Sequence, residues 1–284
     1  MKVTKLADAL GAEISGVDLS KKLNPEEVEQ LITAWHEHLV LRFRGNHLTD
    51  KQLLALTQNF GTIDPPGPNT QGKPYLEDYP EINVISNIKV GEVAIGGLGD
   101  GEASWHTDMT YIEKPPKGSF LHALEIPNIG GNTSWGNMYL AYEDLSADIK
   151  KAIAGKKAIH DSTYNSAGIM RKGMREVTDV REAPGAHHPL VVLHPSTGKP
   201  ALFLGRRRNS SILRLDLKES DELLDELWAH AANPKYCFTQ VWQLHDLMLW
   251  DNIATIHRRD SFDANARRLM HRTQIKGDVL QPLS

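Results

Sequence analysis

The chain holds a single cysteine, Cys237, among 284 residues. One thiol excludes an intramolecular disulfide framework and a Cys-rich zinc or iron–sulfur site. Long apolar runs are missing too: none approaches the roughly 18 residues of a membrane span. The opening "MKVTKLADALGAEISGVDLS" lacks the apolar stretch of a secretory signal. These absences predict a cytoplasmic protein with no membrane partner. A surplus of either charge is also lacking, with 32 Lys and Arg against 36 Asp and Glu and a net charge of −4. A basic surface for nucleic acid is therefore not expected. No repeat, low-complexity tract or linker divides the chain, so a single domain over residues 1–284 is expected. The glycines of "GGLGDGE" (96–102) do not form a phosphate fingerprint, because no G-x-x-G continuation and no helix start follow them.

What is present looks globular: 40% hydrophobic and 24% charged residues, at a length that can bury a sizeable core. Two N-terminal helices are signalled by capping boxes. Asn24 and Glu27 bracket "NPEEVEQLITAWHEH" with Pro25 at the first helical position, and Thr49 and Gln52 open a second helix that Gly61 would stop. "LVLRF" between them reads as a strand. From residue 118 onward short β-like runs dominate: "SFLHALEI", "PLVVLH", "PALFLG", "YCFTQVWQ", "LMLW", "IATIH" and "RLMHRTQI". Two helices interrupt them, one capped by Ser146 and stopped by Gly155, the other capped by Ser220. Closely spaced strands with few helices predict a mainly β fold with flanking helices, an antiparallel sandwich or barrel. The polar segment 165–188 is expected to be a mobile insertion.

Thirteen histidines pose the question of which of them converge. In "SWHTDMTY" (104–111), His106 and Asp108 share a face if the stretch is a strand, since side chains alternate. A facial site for ferrous iron needs one more imidazole and leaves three positions open; His257 in "LWDNIATIHRRD" is the candidate. On a strand through "ARRLMHRTQI", Arg268, Met270 and Arg272 face one side. Arginines inside a barrel are costly unless anions meet them, and a guanidinium fork suits a carboxylate. Metal ligands plus such an arginine point to a dicarboxylate cosubstrate. Two other readings use the same residues: a zinc-dependent hydrolase on the His-Asp-His set, and a non-catalytic β-barrel binding protein.

"WHTD", "GGNTSW" (130–135), "HPLVVLHPSTGKPALFLG" (188–205), "LWDN…H" and "RRLMHR" occur in this order. With these motifs the chain resembles, from about residue 5 to 278, the TauD/TfdA family of Fe(II)- and 2-oxoglutarate-dependent dioxygenases. The resemblance implies a double-stranded β-helix, or jelly-roll, core. It implies iron ligation by His106, Asp108 and His257. It assigns 2-oxoglutarate to Thr133 and Arg268, and makes Arg272 a contact for the substrate's acidic group or the cosubstrate's inner carboxylate. Trp250 and Asn252 would support the strand of the distal histidine. The implied reaction consumes O2, converts 2-oxoglutarate to succinate and CO2, and hydroxylates a small anionic substrate, with C–S, C–O or C–N cleavage where the carbon bears a heteroatom. Retention of Asp108 argues against halogenation. Relatives imply a homo-oligomer, dimer or tetramer.

Taurine itself is disfavoured. The histidine-containing loop that taurine enzymes carry after "FG" reads "FGTIDPPGPN" here, with Asp64, and their substrate-contacting asparagine is replaced by Glu102. "ISNIKVGE" (85–92) resembles a segment of the phenoxyacetate branch and makes Asn87 a candidate substrate contact beside Glu102 and Arg272. The run Arg206–Arg208 reads either as a solvated loop or as a basic gate for an anion.

Overall fold

The structure is a computed structural model that describes residues 1–66, 73–101 and 103–283. Part of the Pro/Gly loop 64–74 and Glu102 lie outside the described residues.

An eight-stranded sheet runs in the order Lys2–Lys5, Ala12–Ser15, Val40–Phe43, Leu247–Asp251, Gly118–Glu125, Leu269–Ile275, Asn83–Ser86 and Gly97–Leu98. Its ladders are antiparallel except where Ala12–Ser15 meets Val40–Phe43 and where Asn83–Ser86 meets Gly97–Leu98. A four-stranded antiparallel sheet runs in the order Cys237–Gln240, Thr133–Asn137, Thr255–Arg259 and Ala103–His106. The large sheet presents Leu121, Ala123, Met248, Trp250 and Met270 to Trp135 of the small one, forming one buried cluster. Sheet-on-sheet packing of this kind makes the jelly roll.

The period-two alternation of the strands sorts their side chains. Met248 and Trp250 point inward, whereas Leu247 and Leu249 point outward and pack with Phe43, Phe120 and Ile275 under the two N-terminal helices. Those helices, Pro25–His38 and Asp50–Gln58, contribute Leu31, Trp35, Leu53 and Leu56 to that layer. Each such large side chain gains about 1.5–3 kcal/mol on full burial. On the Leu269–Ile275 strand, Thr273 bonds outward to Thr57 at 2.7 Å and His271 to Asp50 at 2.6 Å, which leaves Met270 and Arg272 for the interior. A third cluster joins the helix Leu217–Ala231 and the short helices Met138–Glu143 and Ala147–Ile153 to the strands Val191–Leu193 and Pro200–Leu202.

Both expected capping boxes are formed, and Ser146 caps its helix. Three expectations are corrected. The second helix ends at Gln58 with Asn59 as its C-cap, before Gly61 is reached. Asp216, not Ser220, caps the Leu217–Ala231 helix; Ser220 is buried inside it and accepts a hydrogen bond from the Ile212 N–H. The segment 165–188 is not one loop, because Gly185–Pro189 pairs as a strand with Lys157–Asp161. Its first half is stitched to neighbouring structure, through a Ser104 N–H bond to the Ser166 carbonyl at 3.2 Å and through Arg171, stacked 3.8 Å from the Tyr111 ring centroid. Among the described residues no helix is long and apolar enough to cross a membrane.

Candidate metal centre

The cross-strand register of the small sheet brings two imidazoles together. His257 is the direct partner of His106 across an antiparallel ladder with a register shift beside it, and their ring centroids lie 4.1 Å apart. Directly opposed residues are the closest side-chain neighbours a sheet offers. Asp108 arrives by another route than alternation. The strand stops at His106, the Thr107 N–H bonds to the Gly205 carbonyl at 2.9 Å, and Met109 follows with φ of 52°. Asn252 then clamps the Asp108 backbone. Its Oδ1 accepts from the Asp108 N–H at 2.9 Å, and its Nδ2 donates to the Asp108 and Pro116 carbonyls at 3.0 and 2.8 Å. Asn252 therefore supports the candidate carboxylate ligand, while the Trp250 ring lies tilted with its centroid 5.3 Å from that of His257.

The three donor atoms lie within 4.8 Å of one another, all buried. Nε2 of His106 is 3.5 Å from Asp108 Oδ1 and Nε2 of His257 is 3.8 Å from Asp108 Oδ2. His106 Nδ1 sits 2.7 Å from the Ser104 carbonyl, which fixes the tautomer that turns Nε2 toward the centre. Burial lowers the pKa of both histidines, that of His257 further with help from His106. Both are thus neutral near pH 7, as ligands must be. Burial opposes the charge on Asp108, but the Arg272 guanidinium, donating to it at 2.8 Å, outweighs burial and holds the carboxyl well below its ordinary value. Two neutral imidazoles and one carboxylate on one side of a point are the donor set of a facial divalent metal.

Further into the barrel lies Arg268. It is 2% exposed, and its Nε and Nη1 have no hydrogen-bond partner among the described residues. Burial and the neighbouring Arg259 pull its pKa down to about 9. Thr133, which accepts a bond from Trp242 Nε1 at 3.1 Å, lines the same narrow cavity with His106, His257, Arg268 and Arg272. The glycines of "GGNT" are required here: Gly130 has φ of 81° and a Cβ on it would lie 2.6 Å from the Ser261 carbonyl oxygen.

The other expected contacts divide. Arg272 lies at the centre, donating from Nη1 to Asp108 Oδ2 at 2.8 Å, so one of its donors serves a candidate metal ligand. Asn87 plays a structural part. Its Nδ2 donates to the Ala266 carbonyl at 2.7 Å and its Oδ1 accepts from the Arg268 N–H at 3.0 Å, which positions the turn that delivers Arg268. Of the arginine run, Arg207 pairs with Asp221 and Asp225 and Arg208 stacks 3.4 Å from the Tyr164 ring centroid; only Arg206 reaches the site. Sequence reasoning missed Asp251 and His194. His194 Nε2 lies 2.8 Å from Asp251 Oδ2, while Asp251 Oδ1 accepts from the Ile253 and Ala254 N–H groups at 2.8 Å, ordering the turn ahead of the His257 strand. The "WDN" triplet carried that signal.

Comparison with known proteins agrees with this geometry. The family model "Taurine catabolism dioxygenase TauD, TfdA family" matches residues 2–274. Pentalenolactone F synthase of Streptomyces avermitilis is 30% identical over 96% of this chain and 93% of its own length. The alpha-ketoglutarate-dependent 2,4-dichlorophenoxyacetate dioxygenase of a Burkholderia species is 30% identical over 93% of this chain and 91% of its own. The crystal structure of AAD-2 in complex with Mn(II) and N-oxalylglycine superposes with a TM-score of 0.80 at 29% identity, covering 100% of this chain and 99% of that one.

Proposed function

Because the chain belongs to the TauD/TfdA family and is a Fe(II)- and 2-oxoglutarate-dependent dioxygenase, we propose the following division of labour among its residues. His106, Asp108 and His257 hold the iron. Arg268 pairs with the distal carboxylate of 2-oxoglutarate, and Thr133 contacts the same group. The observation that carries this reading is the buried Arg268 fork with two unpaired N–H donors. Buried polar groups are nearly always paired, and a five-carbon dicarboxylate chelating the metal supplies the missing acceptors. A zinc hydrolase would leave that guanidinium without a partner, and a barrel that only binds would have no reason to keep all three metal donors.

When bound, iron with 2-oxoglutarate and O2 supplies the oxidising power that hydroxylates substrate, with release of succinate and CO2. The protein's own groups prepare it. Arg272 occupies Asp108 Oδ2, which keeps that carboxylate from chelating through both oxygens and so preserves open positions at the metal. The Ser104 carbonyl and Asn252 fix the ligand directions before metal arrives. Trp250, Trp135 and Leu121 wall the cavity with apolar surface and exclude water. The substrate is a small anion of the class that phenoxyacetates represent among the relatives. The single cysteine supports a cytoplasmic setting; a homo-dimer or tetramer is expected by family and is read by light scattering.

The test is anaerobic addition of Fe(II) and then 2-oxoglutarate to purified protein. A weak visible charge-transfer band is expected, lost in His106→Ala and Asp108→Ala. Admission of air should then yield succinate. Absence of the band in the unmutated protein refutes the assignment.

A further inference from the structure

Beside the candidate metal centre lies a second cavity of about 240 Å³, lined by Tyr75, Asn83, Asp108, Tyr111 and the guanidiniums of Arg171, Arg206 and Arg272. Three positive groups against the one carboxylate of Asp108 leave it with a formal charge of +2. The three arginines are not equivalent. Arg272 spends Nη1 on Asp108. Arg171 is held at the rim, with Nη1 on the Ser162 carbonyl at 2.9 Å and its plane over Tyr111. Arg272 leaves one further buried donor, Nε, without a partner, whereas Arg206 leaves two: its Nε and Nη1 are shut off from solvent and have no hydrogen-bond partner among the described residues. Burial lowers its pKa to about 10 against the pull of Asp108. A protein does not ordinarily bury two orphaned donors.

The fold also holds Arg206 in place. The preceding Gly205 has φ of 69°, and a Cβ there would meet His160 Nδ1 at 2.0 Å. Its carbonyl is the acceptor that ties the Thr107 N–H beside the metal ligands. The arginine is thus rigidly placed one residue from the contact that secures the metal-bearing loop. It forms the wall shared by this cavity and a neighbouring hollow of about 380 Å³ that Trp105, Tyr164 and Trp228 line.

We infer that Arg206 is the substrate's anchor: its unpaired Nε and Nη1 grip a compact oxyanion of the substrate, a carboxylate, sulfonate or sulfate, on the side of the metal away from Arg268. This rests on the dioxygenase reading and adds which residue selects the substrate's charge. A planar fork suits such oxyanions through two parallel bonds. Arg272 then serves chiefly the metal ligand, and Arg171 draws the anion in at the rim.

The experiment uses the full chain loaded with Mn(II) and saturated with N-oxalylglycine, so that binding is read by calorimetry without turnover. The probes are phenoxyacetate, pentyl sulfate and hexanesulfonate, with uncharged 2-phenoxyethanol as the control. Arg206→Met should weaken the acidic probes about 10–100-fold while N-oxalylglycine affinity stays within about threefold and 2-phenoxyethanol is unaffected. Arg206→Lys should restore part of the loss, which a merely misfolded site would not show. Equal binding of the acidic probes by Arg206→Met and unmutated protein overturns the inference, as does failure of every acidic probe to bind the unmutated protein. An equal loss of N-oxalylglycine affinity also overturns it. Failure of the unmutated protein to take up Mn(II) and N-oxalylglycine instead strikes at the dioxygenase reading itself.

Discussion

Arg268→Met should make the protein more stable and less able to bind its cosubstrate. The fall of the Arg268 pKa from 12.5 to about 9, at 1.36 kcal/mol per pH unit, corresponds to roughly 5 kcal/mol carried by the charged group in the folded state. Methionine has a similar reach and no charge, and replacing a buried charge by an apolar side chain commonly stabilises by about 1–4 kcal/mol. For a chain of this size that is a rise in Tm of about 2–7 °C. The cost falls on 2-oxoglutarate: losing two charge-assisted hydrogen bonds at about 1.5–3 kcal/mol each weakens binding by about 10²–10⁴-fold. Thermal melts of Mn(II)-loaded protein read both effects. At 100 times its Kd, 2-oxoglutarate should stabilise the unmutated protein by about 2.7 kcal/mol and the variant by less than about 0.5 kcal/mol. A variant that melts lower without cosubstrate, or that keeps the full cosubstrate shift, would refute the reasoning. The first result would mean that Arg268 already has a partner inside the protein. The second would mean that the carboxylate binds elsewhere.

Three more outcomes are expected. Asn252→Ala removes all three bonds to the Asp108 and Pro116 backbone, at about 2–4 kcal/mol of stability, and should weaken Mn(II) binding about 10–100-fold; unchanged Mn(II) titration contradicts the clamp. Gly205→Ala combines a positive φ with a Cβ 2.0 Å from His160 Nδ1, so a loss above about 3 kcal/mol in urea unfolding is expected, and a Tm within about 2 °C of the parent would show the loop free to move. His160 is stacked on Phe203 with both ring nitrogens unpartnered among the described residues, and burial, with nearby His188 and Arg206, puts its pKa well below 6.5. The unfolded chain takes up a proton as the pH falls through 6.5 and the folded one does not, so stability is complete above 6.5 and declines with acid. His160→Gln should flatten that decline by up to about 1.4 kcal/mol per pH unit between pH 6.5 and 5; an unaltered slope would show that His160 does not titrate in that way.

The sequence made the strands and helix starts legible because they are written locally. Asn24 and Glu27, or Thr49 and Gln52, declare a helix within four residues, and the outward Leu247 and Leu249 alternate with the inward Met248 and Trp250. The candidate metal donors, which the structure brings within 4.8 Å of one another, were legible as residues but not in their route. His106 and Asp108 converge because Gly205 and Asn252 hold the chain after the strand has ended, and neither partner is near in sequence. Asn87 illustrates the converse. A polar residue in a promising motif turns out to organise the turn ahead of Arg268, since which of several acceptors an amide meets is decided by tertiary placement. The Arg206–Arg208 run looked uniform in sequence and the fold split it, sending Arg207 to the acidic face of the Leu217–Ala231 helix and Arg206 inward.

That split has an energetic logic extending over the whole site. Each buried guanidinium is costly unless something anionic meets it. Arg272 meets Asp108 within the chain. Arg268 and Arg206 each leave Nε and Nη1 unpaired among the described residues, and folding alone gives no reason to keep two such deficits in one barrel. The proposed division of labour does, because it holds two small acids at once, the dicarboxylate cosubstrate and the anionic substrate. Placing one orphaned fork deep beside Thr133 and the other in the outer cavity makes the acids non-interchangeable. The inner cavity is walled by Trp135, Trp250 and Leu121 and measures about 50 Å³, whereas the outer one, of about 240 Å³, borders the hollow lined by Trp105, Tyr164 and Trp228. On the proposed assignment an acid with a bulky apolar end suits Arg206 and not Arg268, so the two ligands do not compete for the same charge.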